Sequence, residues 1–160
     1  MLGAPSTPRR RVHVPLVGAA VVALTAVVAG CGGAVEVSPP AAASDPACGS
    51  VSWPSEVAGL DRRSTSPDSP ATAAWADRGD VAIIARCGVP VPGPTTDECL
   101  GVDGVDWIAH RLDDGMRFTT YGREPAIEVL VPNAYAPEPL VLSSFADAAA
   151  AGRATGHRCS

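Results

Sequence analysis

An uncharged apolar stretch that ends at Cys31 constrains this chain most, because it separates an N-terminal segment from the residues that remain to fold. Three arginines at positions 9–11 precede this stretch, and residues 14–28 carry no charge and are rich in Val, Ala and Leu. Two small residues then stand directly before the cysteine. A basic region, an apolar region of about 7–15 residues and a small-residue junction are the parts of a secretory signal peptide. We therefore predict that residues 1–30 are a signal peptide.

The junction itself, Val28-Ala29-Gly30-Cys31, resembles the lipobox of bacterial lipoproteins. In that family the cysteine thiol receives a diacylglyceryl group, and the cysteine becomes the first residue of the mature protein. The resemblance implies lipidation at Cys31 and a location on the extracytoplasmic face of the cell membrane. Two alternatives stay open. Residues 14–35 are uncharged and long enough to span a membrane as an uncleaved helix, since about 20 apolar residues suffice; or the protein is cleaved and freely secreted.

The charge of the remaining residues narrows the range of partners. Three of the twelve basic residues lie in residues 1–30 and all seventeen acidic residues lie after them, so residues 31–160 carry nine minus seventeen, or −8, charges. This balance argues against a nucleic-acid partner, because nucleic-acid affinity depends on neutralising phosphates. Every basic residue is arginine, and the absence of lysine excludes a Schiff-base lysine and a P-loop lysine. The first predicted partner is the membrane, through the lipid anchor.

The chain after the junction divides by composition into a linker and a domain. Residues 31–47 contain Gly-Gly, Pro-Pro and three consecutive alanines, without apolar periodicity. Such composition predicts a flexible tether, and the alternative is that part of it packs on the domain. Residues 48–160 are predicted to form a single domain.

Apolar patterning within this domain predicts mainly strands. Five stretches carry the strand signals: residues 71–75, 81–87, 105–111, 116–121 and 126–131. An Asp-Gly pair between the third and the fourth predicts a hairpin. Short helices are predicted near the two ends, at residues 53–59 and 145–151. The predicted fold class is α+β, with a small antiparallel sheet of four to five strands, flanking helices and stabilising disulfides.

Four cysteines, Cys48, Cys87, Cys99 and Cys159, follow the junction. An even number of cysteines outside the cytoplasm predicts disulfides, here with three possible connectivities. We favour Cys87–Cys99, which would close a Pro/Gly-rich turn, together with Cys48–Cys159, which would join the two ends of the domain. A metal site is disfavoured because the sequence contains no Cys-x-x-Cys motif.

Aromatic and arginine side chains are the candidates for a binding surface. Trp75, Trp107 and Tyr121 could line a ligand surface, with Arg86 or Arg123 as anion clamps. Aromatic residues at strand positions also commonly belong to a core, and that alternative stays open.

Arg86 stands out because it interrupts the most apolar predicted strand. It must lie on an exposed face of the sheet or be buried and paired with an acid. Asp106 and Glu128 are the candidate partners.

A rival interpretation is a small envelope hydrolase that uses Asp103, Asp106 and His110. The two aspartates could act as a carboxylate pair or bind a cation, with the histidine as a base. Aspartates also suit a turn that leads into a strand. Since no Gly-x-Ser-x-Gly, His-Glu-x-x-His or EF-hand pattern is present, we favour a non-catalytic binding or accessory module of the cell envelope. Its predicted partner is an envelope protein or glycan, and no catalytic residue, cofactor or metal is assigned.

Several short motifs also occur together in a recognisable order. They are ATAAW at residues 71–75, RCGVP at 86–90, GVDW at 104–107, FTTYGR at 118–123, VP at 131–132 and YAPE at 135–138. Together they resemble the actinobacterial lipoproteins grouped as domain of unknown function 3515. The resemblance implies a cell-envelope location and a single small domain. It implies no activity and therefore assigns no site residue.

Overall fold

The longest strands of the chain lie side by side in one antiparallel sheet. A computed structural model describes residues 33–77, 79 and 81–160, and these residues contain twelve strands. The strands are β1 (Val35–Glu36), β2 (Glu56–Val57), β3 (Leu60–Arg63), β4 (Thr65–Ser66), β5 (Thr72–Trp75), β6 (Ile83–Val89), β7 (Glu98–Val102), β8 (Val105–Arg111), β9 (Gly115–Tyr121), β10 (Arg123–Glu124), β11 (Ala126–Pro132) and β12 (Arg153–Ala154). Eight of them form one sheet in the order β2-β3-β5-β6-β11-β9-β8-β7, with every neighbouring pair antiparallel. β1 pairs with β4 in parallel, and β10 pairs with β12 antiparallel.

The predicted α+β fold class, with four to five strands and flanking helices, is wrong. The described residues are mostly β, and α1 (Ala146–Ala149) is the one α-helix among them. The stretch before it, Glu138–Phe145, is a 3-10 helix with a proline in its first turn. The helix predicted at residues 145–151 is therefore reduced to a single α-helical turn. The five predicted strands and the central hairpin are present with shifted ends.

Two tight turns account for strands that the apolar pattern does not reveal. Ala58 and Gly59 join β2 to β3 with φ values of 52° and 78°, and Asp103 and Gly104 join β7 to β8 with φ values of 48° and 79°. Positive φ at both loop residues defines the type I′ turn that suits two-residue hairpins. The stretch predicted as a helix over residues 53–59 is thus the start of a hairpin, and its glycine is a turn residue.

The core lies on one face of the sheet, here called the core face. Alternate residues of the long strands point there: Ile83, Ala85, Cys87, Trp107, Ala109, Met116, Phe118, Ile127, Val129 and Val131. The C-terminal helical segment covers this face with Leu142, Phe145 and Ala148, each at most 1% exposed. Trp75 packs edge-on against Phe145, with ring centroids 5.2 Å apart. This packing places the helical segment across the sheet rather than beside it.

Part of the segment predicted as a tether packs on the sheet. β1 pairs with β4, and Val37 is only 3% exposed. Further along, the Ala42 amide donates a hydrogen bond to the Gly88 carbonyl at 3.2 Å. A Cβ atom at Gly88 would lie 2.5 Å from the Ala42 backbone, so a glycine permits this close approach. These contacts agree with the alternative interpretation, in which part of residues 31–47 packs on the domain.

All four cysteines of the domain form disulfides, but the favoured pairing is wrong. The bonds join Cys48 to Cys87 and Cys99 to Cys159, with Cα–Cα distances of 5.4 and 5.6 Å. The Cys87 side chain points to the core face, whereas Cys99 pairs with Ile108 on the opposite face. Four strand spacings separate β6 from β7 in the sheet, roughly 19 Å at about 4.8 Å each, far beyond disulfide reach.

Removing either disulfide is expected to lower the free energy of unfolding by about 4 kcal/mol, because the sequence separations of 39 and 60 residues give similar loop entropies. Cys48→Ala/Cys87→Ala should cost more than Cys99→Ala/Cys159→Ala, since Cys48 and Cys87 are fully buried and alanine leaves a cavity there. Urea denaturation measures both variants. Peptide mapping without reduction checks the pairing, and a Cys87–Cys99 peptide would contradict it.

Candidate functional site

The face of the sheet opposite the core, here called the second face, carries a row of side chains that are polar except for Ile108. Strand register places Thr72, Arg86, Glu128, Thr119 and Ile108 next to one another on β5, β6, β11, β9 and β8. Each alternates with a core residue on its own strand, so these side chains share the second face. The row puts an arginine and a glutamate on neighbouring central strands.

An adjacent row on the second face is apolar on one side and charged on the other. Ile84 pairs with Leu130, Leu130 with Arg117, and Arg117 with His110. The second face therefore changes character across the sheet. Its polar part lies over β11, β9 and β8, and its apolar part lies over β6 and β11.

A proline-rich loop converts the polar part into a cleft. The loop between β6 and β7 contributes Pro90, Pro92 and Pro94, and the resulting open cavity measures about 420 Å³. Its sheet side is lined by Ile108, His110, Arg117, Thr119 and Glu128, and Asp97 lines it from the end of the loop. We call this cavity the polar cleft. Its size falls in the range of small-molecule sites, about 300–1,000 Å³.

Glu128 is the most buried charged group of the polar cleft, at 7% exposure. Its Oε1 accepts hydrogen bonds from both Nε (3.0 Å) and Nη2 of Arg86. Its Oε2 lies 4.0 Å from Nε of Arg117, whose side chain is 40% exposed. A buried carboxylate without such partners would be strongly destabilising. The pairing predicted for Arg86 with an acid is thus made with Glu128, and Arg117 presents the more accessible guanidinium.

A second, longer pair of side chains, His110 and Asp97, lies at the opening of the polar cleft. Nδ1 of His110 lies 3.8 Å from Oδ2 of Asp97, and both side chains are nearly half exposed. This distance exceeds hydrogen-bond range, so the pair acts through charge when the histidine is protonated. Asp97 belongs to the loop and His110 to β8, so the pair links the two walls of the cleft.

The five residues predicted as a binding surface do not form one surface. Trp75 and Trp107 are 0% exposed in the core, as the alternative interpretation has it. Tyr121 stacks on His157 of the C-terminal tail, with ring centroids 5.7 Å apart. Nη1 of Arg123 donates to the Gly152 carbonyl at 3.2 Å. Of the five, Arg86 alone is joined to the polar cleft, through Glu128.

The three residues of the hydrolase interpretation are not brought together. Asp103 occupies the tight turn between β7 and β8, and Asp106 accepts a hydrogen bond from the Cys159 amide at 3.1 Å. His110 lies four residues further along β8, roughly 13 Å away at about 3.3 Å per residue. No nucleophile–base set is assembled from these side chains. Among the described residues there is also no group of three His, Cys, Asp or Glu placed to hold a metal ion.

Arg117, Thr119 and Asp97 are among the cleft residues that the sequence did not single out. A usable signal was available for Arg117, since it interrupts a predicted hairpin strand in the same manner that Arg86 interrupts β6. Asp97 carried no such signal, because the pairing of β7 with β8 is what brings it beside His110.

The chain is thus a disulfide-linked, mostly β domain with a polar cleft on one sheet face. A family model described as "Protein of unknown function (DUF3515)" matches residues 12–154, and the chain belongs to this family. No curated protein and no solved structure matches the chain. No helix in the described part of the chain is long and apolar enough to cross a membrane. Cys31 and the predicted signal peptide lie outside the described residues.

The two fully buried tryptophans, Trp75 and Trp107, differ in the hydrogen bonding of their indole N–H groups. The Trp75 indole N–H donates to the Pro54 carbonyl at 3.0 Å, whereas within the described residues that of Trp107 has no partner. A buried unpaired donor costs about 1–3 kcal/mol, and phenylalanine removes it. Trp107→Phe should therefore lower the free energy of unfolding by about 1–3 kcal/mol less than Trp75→Phe. Urea denaturation compares the two variants, and an equal or larger loss for Trp107→Phe would contradict the assignment.

Proposed function

We propose that the mature protein is a lipid-anchored extracytoplasmic module that binds a neutral, polyhydroxylated ligand in the polar cleft, without chemistry. Envelope glycans are the class of molecule that fits this description. The anchor is Cys31 and the site is the cleft under the proline-rich loop.

The balance of charges in and beside the cleft carries the proposal. Arg86 and Arg117 lie against Glu128, and Asp97 lies beside His110. The two arginines and the two acids therefore bring two positive and two negative formal charges, which cancel. An anion or a cation would gain little from such a set. A hydroxyl-rich ligand needs donors and acceptors at once, and Arg117, Thr119 and Asp97 supply both kinds.

The walls of the cleft also favour binding over catalysis. Both hydrogen bonds from Arg86 go to Oε1 of Glu128, so this carboxylate oxygen is engaged in an ion pair. Ile108 and three prolines provide apolar surface on which a sugar ring can pack. The two disulfides support the extracytoplasmic part of the proposal, since disulfides persist in oxidising compartments.

The ligand proposal is tested by binding of neutral oligosaccharides from the producing cell envelope to the detergent-solubilised full chain. Arg117→Ala should weaken binding at least about tenfold, the equivalent of one lost hydrogen bond to a charged group. Arg111→Ala is the matched control, because Arg111 is an exposed arginine at the end of β8 that does not line the cleft. Absence of saccharide binding, or equal losses in both variants, would contradict the proposal.

The anchor is tested separately by metabolic labelling with palmitate. The wild-type chain should incorporate label and begin at Cys31, because the thiol is the acylated group. Cys31→Ala should lose the label and also the cleavage before residue 31. A wild-type chain that retains residues 1–30 without label would support a spanning anchor instead.

A further inference from the structure

We infer that the apolar part of the second face docks onto the hydrocarbon of the bilayer beside the anchor; this rests on the proposed lipidation of Cys31. The surface is a shallow cavity of about 610 Å³. Its apolar lining includes Val35, Val81, Ile84, Leu112 and Leu130. We call it the apolar surface.

The apolar surface exposes more hydrophobic side chain than is expected for a surface in contact with water alone. Val81 is 58% exposed, and Ile84, Leu112 and Leu130 are partly exposed around it. The lining contains one charged side chain, Asp114. Contiguous apolar surface of this kind marks contact with a protein or a membrane.

The short chain between Cys31 and the apolar surface favours the membrane over a protein as the partner of this surface. Val35 belongs to the apolar surface and is fixed by β1, where its amide donates to the Ser64 carbonyl at 2.9 Å. The Val37 amide donates to the Ser66 carbonyl at 3.0 Å, which holds the other end of the strand. Val35 is only four positions after Cys31 in the chain, a reach of at most about 14 Å. An acylated Cys31 therefore keeps Val35, and with it the edge of the apolar surface to which Val35 belongs, within about 14 Å of the bilayer.

Because the connection to the anchor is short, even a weak contact between the apolar surface and the bilayer can be occupied. An anchored domain meets the bilayer intramolecularly, at a high effective concentration, so a small apolar surface suffices for docking. The net charge of residues 31–160 is negative and would repel an anionic surface. The contact is accordingly hydrophobic, and raising the salt concentration should not weaken it.

The test places a photoreactive benzoylphenylalanine in the full chain in native membranes, at Val81 or at Leu140. Leu140 is the matched control, because it is 72% exposed but lies in the helical segment that covers the core face. Val81→benzoylphenylalanine should crosslink to phospholipid, and Leu140→benzoylphenylalanine should not. The lipid adduct at position 81 should persist at high salt.

Three outcomes would overturn the inference: equal lipid crosslinking at both positions, a crosslink from position 81 to a second copy, or one to another protein. Palmitate labelling of the same preparation separates this failure from failure of the anchor. A labelled protein without a lipid adduct at position 81 refutes docking alone. An unlabelled protein refutes the anchor on which docking rests.

Discussion

The pairing of β6 with β11 at the middle of the sheet is the interaction on which the rest of the structure depends. In this register Ala85 faces Val129 and Arg86 faces Glu128. The first pair belongs to the core, and the second places opposite charges together on the second face. A slip of one residue in either strand would turn the charged residue of that strand, Arg86 or Glu128, into the core. The cost of burying those charges therefore enforces the register, and the register positions both the polar cleft and the apolar surface.

The two disulfides join segments outside the sheet to strands on opposite faces of it. Cys48–Cys87 joins the segment that precedes β2 to β6 on the core face. Cys99–Cys159 fastens the C-terminal tail to β7, where the Cys159 amide also bonds Asp106. Chain ends are ordinarily the first parts to fray. Here a disulfide links the segment before β2 to β6, and another links the C-terminal tail to β7. These links limit fraying in a mostly β domain that has few aromatic residues.

The proposed function rests on the difference between the two faces of the sheet. The core face is closed by the helical segment, whereas the second face carries polar and apolar halves whose residues alternate along the same strands. Glu128 and Leu130 are two positions apart on β11, roughly 7 Å at about 3.3 Å per residue. Contact of the apolar half with a bilayer would place the polar cleft close to the membrane surface. An envelope glycan attached to a lipid would meet both halves at once.

The sequence by itself determined the local elements whose signals are short-range. Asp113-Asp114-Gly115 predicted the central hairpin, and the alternation of Ile127, Val129 and Val131 predicted β11. The sequence also predicted that the four cysteines form disulfides and that the chain belongs to its family. Tertiary structure alone decided the eight-strand sheet, the disulfide partners and the burial of Trp75 and Trp107. These depend on which face a side chain takes and on which strands become neighbours, and neighbouring strands such as β6 and β11 are about 40 residues apart in the chain. No local pattern encodes contacts at that separation, because they are selected by the joint packing of the core.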